Sequence, residues 1–470
     1  MYPKWKKIAY STGSFAASLS YNAFNAFLFY FYVQICALPV HLYSIGFAIY
    51  GLWNAINDPL FGFLSDKLKT KRGRRIPLVI YGNIPLMLAF MFTWAPKVEH
   101  INAKLISFEI LGVPIHVFGL PYDLFLYFTI IGILFDTFYT AVILAWTALF
   151  PEMFESLEER AEVQQYRSWI GIVGTIFGLG LAPMFVDAFG WFGMGIILGL
   201  LTAISLFISL LGSEEKGYYL VEEPMPVLEA LRYTFRNKVF VIFVFTNLML
   251  QYSVLLMEQL LPVYVQFVLG EEQTVTGILY LVILLTMIPS IIIWNKIAVS
   301  RGPYVSAFYG LLIFGFTLLP LLFIQTLSEA IIVAILIGFV VASPMYVFDI
   351  LIAEAIDYDE YVTGKRREGA YFGTNALIIR LATLLVSATL LLLKPFGYVE
   401  GAPVQTESAI FGIRLLISVF TFIGALLAAY IISRYPLKGA IREEVKRKLE
   451  ELHKEKLSKR PEVEQENLLG

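Results

Sequence analysis

The chain has 470 residues, of which 58% are hydrophobic and 15% are charged, and its mean hydropathy is +0.72. A soluble domain is about half apolar and a quarter charged, so this composition excludes a soluble protein. The net charge of −2 says little about partners, because the charge asymmetry is expected to lie across a membrane, and no nucleic acid is expected among them. Cys36 is the single cysteine, which excludes an intrachain disulfide and a metal cluster of thiolates.

Apolar runs alternate along the chain with short clusters of lysine and arginine. Each run is long enough to cross a bilayer, which takes about 20 residues. The first run is too long for a signal peptide and lacks a small-residue cleavage site, so it is predicted to be a helix. We predict an all-α membrane protein with twelve transmembrane helices, at roughly 10–36, 41–65, 76–96, 123–150, 162–186, 189–212, 239–268, 273–297, 303–324, 329–355, 370–394 and 408–434.

Basic residues concentrate on alternate connections between these runs, as in the burst of lysines and arginines at 67–75. Because cytoplasmic loops carry such an excess, we predict that both termini are cytoplasmic. The segment ALFPEMFESLEER (148–160) weakly resembles AIDYDEYVTGKRRE (355–368). This internal repeat favours a chain built of two similar halves. The predicted organisation is an N-terminal six-helix bundle at 1–212 with an external hairpin or flap at 97–122, a cytoplasmic linker with an amphipathic helix at 213–237, a C-terminal six-helix bundle at 238–435 and a charged cytoplasmic tail at 436–470.

The second predicted span carries polar residues in its middle, in WNAINDPLFGFLSD (53–66). Asn54 and Asp58 are four residues apart and therefore share a helical face, with Asn57 beside them. A charged group inside a bilayer costs roughly 2.5–3.5 kcal/mol on insertion scales, so it needs a partner or a wet cavity. Carboxylate and amide oxygens are hard ligands suited to Na⁺, and a carboxylate can also carry a proton. The alternative is a cluster of hydrogen bonds between helices without an ion.

Two further sets of polar side chains lie within predicted spans. In the first span Ser18, Asn22 and Asn25 share a face, which suits a hydroxyl-rich solute, although hydrogen bonding between helices explains the pattern equally well. In the fourth span Asp136 and Thr140 share a face near mid-depth, and Tyr139 and Trp146 lie beside that face.

Two arginines lie where a bilayer would surround them. Arg380 is near the middle of the eleventh span with Asn375 a turn or so below it, and Arg167 begins the fifth span from the inner side. An arginine near mid-bilayer requires a carboxylate or an anionic ligand, although a purely structural ion pair would also satisfy it. The possible partners of Arg380 are Asp136, Asp58, Glu258 and Asp349, and the sequence does not choose among them.

No motif indicates catalysis. The chain has no GxxxxGK[ST] loop and no HExxH pair, and its four histidines fall in predicted loops or the tail. We therefore expect no enzymatic activity, no cofactor and no transport driven by ATP hydrolysis in this chain.

The segment GFLSDKLKTKRGRR (62–75) resembles the loop after helix two of the major facilitator superfamily. More specifically, WNAINDPLFGFLSD together with DYDEYVTGKRREGAYFG (357–373) resembles the glycoside–pentoside–hexuronide:cation symporters. The resemblance covers nearly the whole chain. It implies two six-helix bundles that rock around a central site, with a coupling cation between helices two and four.

Carried over by position, the resemblance implies that Asn57, Asp58 and Thr140 hold the cation, with Na⁺ as one choice. It also implies that Arg167 faces the sugar, and that Arg380 stands where the best-known member of the family has a lysine.

The chain also departs from this pattern. The family's first helix-two aspartate is Asn54 here, which makes proton coupling more plausible, and the sugar-binding aspartates align with Ser18 and Ile143. These two replacements weaken the expectation of galactoside recognition. Our hypothesis is that Asp136, two turns from Ile143, takes over a role facing the substrate or Arg380.

The predicted function is cation-coupled symport, with H⁺ or Na⁺, of a sugar or glycoside by alternating access. The protein is expected to be a monomer in the cell membrane, in contact with a small-molecule substrate and membrane lipid. One alternative is a symporter of an amphiphilic or organic anion such as a lysophospholipid. Another is a membrane sensor that does not transport, but its tail of about 35 residues is too short and polar to form a regulatory domain.

Overall fold

The computed structural model of the protein describes residues 2–67, 70, 73–98, 106–110, 113–117, 121–154, 156–215, 227–364 and 367–458. Helices dominate this part of the chain. They are α1 (Lys4–Ser11), α2 (Gly13–Phe29), α3 (Val40–Lys67), α4 (Ile76–Thr93), α5 (Pro121–Met153), α6 (Leu157–Thr175), α7 (Ala182–Gly212), α8 (Val227–Thr234), α9 (Lys238–Tyr264), α10 (Gln273–Arg301), α11 (Pro303–Leu318), α12 (Leu327–Thr363), α13 (Glu368–Arg380), α14 (Ala382–Leu390), α15 (Glu407–Leu415), α16 (Thr421–Ser433) and α17 (Gly439–Ser458).

Three short antiparallel strands precede α5: β1 (Lys97–Val98), β2 (Ile106–Ile110) and β3 (Val113–Val117). Strand β2 pairs with both others, and Ile110 lies opposite Val113. Four predicted features fall partly outside the described residues. They are the basic burst (68–69 and 71–72), the external hairpin or flap (99–105, 111–112 and 118–120), the linker (216–226) and the end of the tail (459–470).

Nine helical stretches of the described residues are long and apolar enough to cross a membrane. One of them runs over 55 residues, from Glu158 to Gly212, and Gly190 interrupts it with φ of 71°. Many large apolar side chains on the outside of the bundle are exposed, including Val299 at 80% and Leu285 at 61%. An apolar outer surface around helices whose backbone groups are bonded internally is the arrangement that a bilayer requires.

Capping residues set several of the helix starts. Asn237 accepts hydrogen bonds from the N–H groups of Val239 and Phe240 at the start of α9. Thr326 and Glu329 form a reciprocal capping box at the start of α12. Each cap satisfies N–H groups that have no partner within the helix, so the sequence fixes where these helices begin.

The described ends of the helices lie on two opposite faces of the bundle, as the contacts below indicate. We call the face that holds α1, α8, α17 and the connection after α3 the terminal face, and the face that holds the three strands and the connection after α14 the hairpin face. Between described residues, the ion pairs on the terminal face join groups of the same half of the chain. Arg74 and Arg75 contact Glu152 at 2.9 and 3.1 Å, and Arg367 contacts Asp359 at 3.1 Å.

The two halves of the chain bond to each other on the hairpin face. Gln34 donates to the carbonyl of Ala402 at 2.8 Å and accepts from the Tyr398 hydroxyl at 2.9 Å. The Glu400 carboxylate accepts from the backbone N–H of Val40 at 2.8 Å, at the start of α3. Among the described residues, the side-chain bonds between halves run from this face to mid-depth, and none joins the halves on the terminal face. The halves are therefore closed together on the hairpin face.

Helix α2 packs closely on α6 and on the π-helical continuation of α6 (Ile176–Leu181), because glycines lie at the contact. A Cβ atom at Gly174 would lie 2.5 Å from the carbonyl oxygen of Phe15, and one at Gly178 would lie 2.5 Å from that of Leu19. Small residues spaced four apart allow this approach of two backbones inside a membrane.

We predict that Gly174→Ala lowers the free energy of unfolding by about 1–3 kcal/mol, because the added methyl group overpacks a backbone contact. The measurement is thermal unfolding of the purified protein in detergent. The matched control is Gly373→Ala, also in a helix, where a Cβ meets nothing within 4 Å. Equal melting temperatures for the two variants would contradict this account of the α2–α6 contact.

Candidate functional site

Two adjacent residues of α3 bond to two residues one turn apart on α5. Asn57 donates from Nδ2 to the Asp136 carboxylate and to its backbone carbonyl, both at 3.0 Å. Thr140 donates from its hydroxyl to Asp58 Oδ1 at 3.0 Å. The spacing of four between Asp136 and Thr140 places both on one face of α5, so two parallel links join the helices at mid-span.

Arg380 reaches this pair of helices from the other half of the chain. Its Nη2 donates to Asp58 Oδ2 at 2.8 Å, and about a fifth of each side chain remains exposed, 22% for the arginine and 23% for the aspartate. Arg380 is the last residue of α13, and α14 starts at Ala382, so the arginine lies at a break in the helix. Of the four partners that the sequence left open, Asp58 is the one that the structure pairs with Arg380.

Several polar atoms around these links are buried without a hydrogen-bond partner. They include the amide oxygens of Asn54 and Asn57 and the Nε of Arg380. Asn54 is 3% exposed and Asn57 is fully buried. A buried acceptor without a donor costs about 1–3 kcal/mol, so such atoms concentrated at one place indicate a ligand site. We call Asn54, Asn57, Asp58, Asp136, Thr140 and Arg380 the coupling cluster.

The predicted residues of the first span bond mainly to protein. Asn22 donates to the Thr175 hydroxyl of α6 at 3.1 Å, and Asn25 donates to the carbonyl of Tyr21 in its own helix at 3.0 Å. Ser18 is partly exposed and faces Gly171, where a Cβ would lie 3.3 Å from its Oγ. Of these three, Ser18 keeps a hydroxyl without a side-chain bond among the described residues.

Arg167 lies on aromatic rings rather than on a carboxylate. Its guanidinium carbon is 4.8 Å from the ring centroids of both Trp146 and Phe150, a cation–π arrangement. Its Nη1 donates to Gln164 at 3.3 Å, while its Nε is buried without a partner. Trp146 in turn donates to the carbonyl of Tyr10 at 3.2 Å. The rings hold the Arg167 guanidinium in position, and its Nε donor is left without a hydrogen-bond partner.

The remaining two predicted residues contact neighbouring helices. Tyr139 donates to the carbonyl of Ala17 at 3.2 Å, and its ring lies 5.7 Å from that of Tyr21. Asn375 accepts from Asn247 at 3.0 Å, within the C-terminal half. Both side chains are partly exposed.

Sequence reasoning missed Gln259, which joins the halves beside Asn25. The Gln259 amide accepts from the Tyr43 hydroxyl and donates to the carbonyl of Asn25, both at 2.7 Å. The side chain is fully buried. An uncharged amide in a long apolar run is the one signal that the sequence offers, and it does not identify a partner 216 residues away.

Known proteins similar to this chain are transporters. Residues 9–439 match the family described as MFS/sugar transport protein. An uncharacterized symporter of Synechocystis is 24% identical over 94% of this chain and 96% of its own length, and a putative glycoside/cation symporter of Escherichia coli is 23% identical over 94% of both. The sodium-dependent lysophosphatidylcholine symporter 1-A of Danio rerio is 21% identical over 93% of this chain and 87% of its own.

Among solved structures, a bacterial homologue of the lysosomal transporter Spinster, inward-facing and unoccupied, superposes with a TM-score of 0.65. The sequence identity is 12%, and the superposition covers 92% of this chain and 97% of the other.

We predict that the Asp58–Arg380 pair is energetically coupled. Asp58→Asn or Arg380→Gln alone leaves one charge without its partner inside the protein, which costs about 3–5 kcal/mol for a fully buried pair and less here because both groups keep some exposure. The double variant should lose less stability than the two single losses added together, by about 0.5–3 kcal/mol. Thermal unfolding in detergent measures all four proteins, and strict additivity would show that the contact contributes nothing.

Proposed function

The chain belongs to the MFS/sugar transport protein family, and from that premise we propose that it is a cation-coupled symporter of a sugar or glycoside working by alternating access. It is a multi-pass protein of the cell membrane, of the glycoside–pentoside–hexuronide:cation symporter type, and a transporter rather than an enzyme. The observation that carries the finer proposal is the Asp58–Arg380 bond, since it joins the two halves at the depth where a cation would bind.

We further propose twelve spans with both termini in the cytoplasm. Nine apolar stretches support this count, and the one from Glu158 to Gly212 counts twice because Gly190 divides it. Helix α2 with its π-helical continuation to Ile35, and α3, supply two more. The terminal face would then face the cytoplasm, and the closed hairpin face would face the outside of the cell.

Binding of one cation in the coupling cluster changes the charge that Arg380 experiences. A change of charge at mid-depth favours one of the two arrangements of the halves over the other, which is how a bound ion biases a two-state equilibrium. Moving one positive charge through 100 mV yields about 2.3 kcal/mol, which corresponds to roughly a fifty-fold concentration ratio of solute. One coupling ion per cycle is therefore sufficient for accumulation.

The names of relatives support two substrate classes. The putative glycoside/cation symporter of Escherichia coli and an isoprimeverose transporter of Lactiplantibacillus pentosus, 21% identical over 85% of this chain, favour a sugar or glycoside. The lysophosphatidylcholine symporters favour an amphiphile as the second candidate. The amide and hydroxyl groups of Ser18, Tyr139 and Asn375 suit a hydroxyl-rich solute better than an acyl chain, because they would hydrogen-bond it.

The test is reconstitution into vesicles with an imposed Na⁺ or proton gradient. Labelled mono- and disaccharides and lysophosphatidylcholine are offered in parallel, and an ionophore that dissipates the gradient is the control. Uptake of a saccharide above equilibrium that the ionophore abolishes is the expected result. Gradient-driven uptake of the lysolipid alone would establish the second candidate, and uptake that ignores both gradients would refute coupling.

We predict that Asp58→Asn abolishes accumulation against a gradient while solute exchange continues at a measurable rate. The reason is that the variant loses the charge that ties Arg380 to α3, so ion binding no longer controls the halves. Counterflow and gradient-driven uptake in the same vesicles separate the two activities. Undiminished accumulation would count against a coupling role for this carboxylate.

Cys36 provides a reporter of alternating access. Cys36 is 3% exposed and lies in the chain between Gln34 and Ala37. Both of these residues contact the C-terminal half. Gln34 hydrogen-bonds to Tyr398 and Ala402, and Ala37 packs closely on Gly401. We predict that Glu400→Gln increases the rate of maleimide labelling of Cys36, because it weakens the bond to Val40 that closes this face. Asp349→Asn, a carboxylate outside the seam, is the matched control. An unchanged labelling rate in Glu400→Gln would mean that this contact does not hold the face shut.

A further inference from the structure

The two carboxylates of the coupling cluster differ in their partners. Asp58 has a cation, Arg380, on one oxygen and a hydroxyl on the other. Asp136 is 3% exposed, and its side chain bonds to the neutral amide of Asn57 among the described residues. The more deeply buried carboxylate is therefore the one without a cationic partner in contact.

We propose that Asp136 binds the coupling ion, that this ion is Na⁺, and that Asp58 serves as the counter-ion through which Arg380 responds to it. The proposal rests on the cation-coupled symport proposed above and assigns the ion to a different carboxylate from the one that the sequence favoured. It also accounts for Asn54 in place of a second helix-two carboxylate, since α5 supplies that charge instead.

Charge balance supports the assignment. Asp58 and Arg380 cancel each other, so the ionised cluster has one negative charge left, on Asp136. An unpaired charge inside a membrane protein is costly and marks an ion pathway. One monovalent cation beside Asp136 neutralises the cluster without breaking the Asp58–Arg380 bond.

The surrounding oxygens favour Na⁺ over a proton. The Asn57 amide is fixed in orientation because its Nδ2 faces two acceptors of Asp136, and turning the amide over would bring oxygen against oxygen. Its Oδ1 and that of Asn54 are then left as buried acceptors without donors. A protonated carboxyl group can donate to one oxygen, whereas a hard cation gathers several.

A further oxygen comes from the helix backbone. Pro59 lies inside α3 and has no N–H, so the carbonyl of Ala55 lacks its usual helical donor. Residues 54–58 thus combine two side-chain oxygens and a released carbonyl within one turn. Carbonyl oxygens freed by interrupted helices are the groups that hold Na⁺ in membrane transporters.

Ion occupancy would reach Arg380 through the paired links between the helices. Asn57 and Asp58 are consecutive on α3, and their partners Asp136 and Thr140 are one turn apart on α5. An ion that draws Asn57 and Asp136 together would also shift the neighbouring bond between Asp58 and Thr140. Because the Asp58 carboxylate binds Arg380, the shift would reach the other half of the protein.

The test is Na⁺-dependent stabilisation of purified protein in detergent, with K⁺ or choline replacing Na⁺ at constant ionic strength. A ligand that binds only the folded state raises the free energy of unfolding by RT ln(1 + [L]/Kd), and the melting temperature rises with it. For the natural chain we expect a melting temperature that increases with the logarithm of the Na⁺ concentration above Kd, and for Asp136→Asn no increase. The double variant Asp58→Asn/Arg380→Gln keeps the one negative charge on Asp136, so it should keep the rise with an apparent affinity within about tenfold. Asn57→Ala should weaken that affinity by about 10–100-fold, as for loss of a group that orients a ligand.

Two further variants keep the outcome interpretable. Asp136→Glu retains the carboxylate and should keep a weakened Na⁺ response, which distinguishes ion binding from misfolding. Asp349→Asn removes a carboxylate of a predicted span outside the cluster and should respond like the natural chain. A response that survives in Asp136→Asn, or one lost in the double variant Asp58→Asn/Arg380→Gln, overturns the proposal, and so does a natural chain stabilised by acid but not by Na⁺. Vesicle uptake that does not depend on any imposed gradient would refute symport. The melting measurements test the ion site independently of that result.

Discussion

The Asp58–Arg380 ion pair is the constraint on which the rest of the arrangement depends. A charge at mid-depth in a membrane protein is tolerated only with a partner, and here each partner belongs to a different half of the chain. The two halves therefore cannot separate at this depth without leaving both charges unpaired. Close packing accompanies the bond, since a Cβ at Gly51 of α3 would lie 2.8 Å from the Thr383 Cβ of α14. Any separation of the halves at this depth would have to replace this contact with another partner for each charge.

Helix α3 transmits that constraint to the hairpin face. The C-terminal half holds α3 at two points: Glu400 accepts from the first N–H of the helix, and Arg380 binds the Asp58 carboxylate beyond the middle of the helix. A carboxylate at a helix N-terminus is stabilised by the unpaired N–H groups and the helix dipole there. Because α3 is one continuous helix between the two points, a tilt that breaks one contact also strains the other. Closure of the hairpin face and the state of the coupling cluster are thus mechanically linked.

The class of protein and its family could be predicted from the sequence, because the length of apolar runs and a basic loop motif are local signals. The comparisons confirm both predictions. It also identified Asp58 and Arg380 as residues that need partners. It could not pair them, since they lie 322 positions apart and four carboxylates met the same requirement. Gln259 escaped notice for a related reason: a buried amide has no characteristic spacing, and its role comes from Tyr43 and Asn25, which only the folded chain brings near. The residue types were readable, whereas the pairing required the fold.

The difference between Asp58 and Asp136 shows why pairing matters more than residue type. Considered alone, each is a carboxylate at mid-depth in an apolar helix, and the sequence favoured Asp58 because the resemblance placed it in the cation site. In the folded protein, Asp58 is matched by a guanidinium group and Asp136 by a neutral amide. A free cation competes poorly for a carboxylate that already holds an arginine at 2.8 Å, but it meets no such competitor at Asp136. The same charge balance explains an uncharged residue at position 54. An acid there would be a third carboxylate beside Asp58, Asp136 and one arginine, and it would leave two negative charges for a single monovalent ion to neutralise.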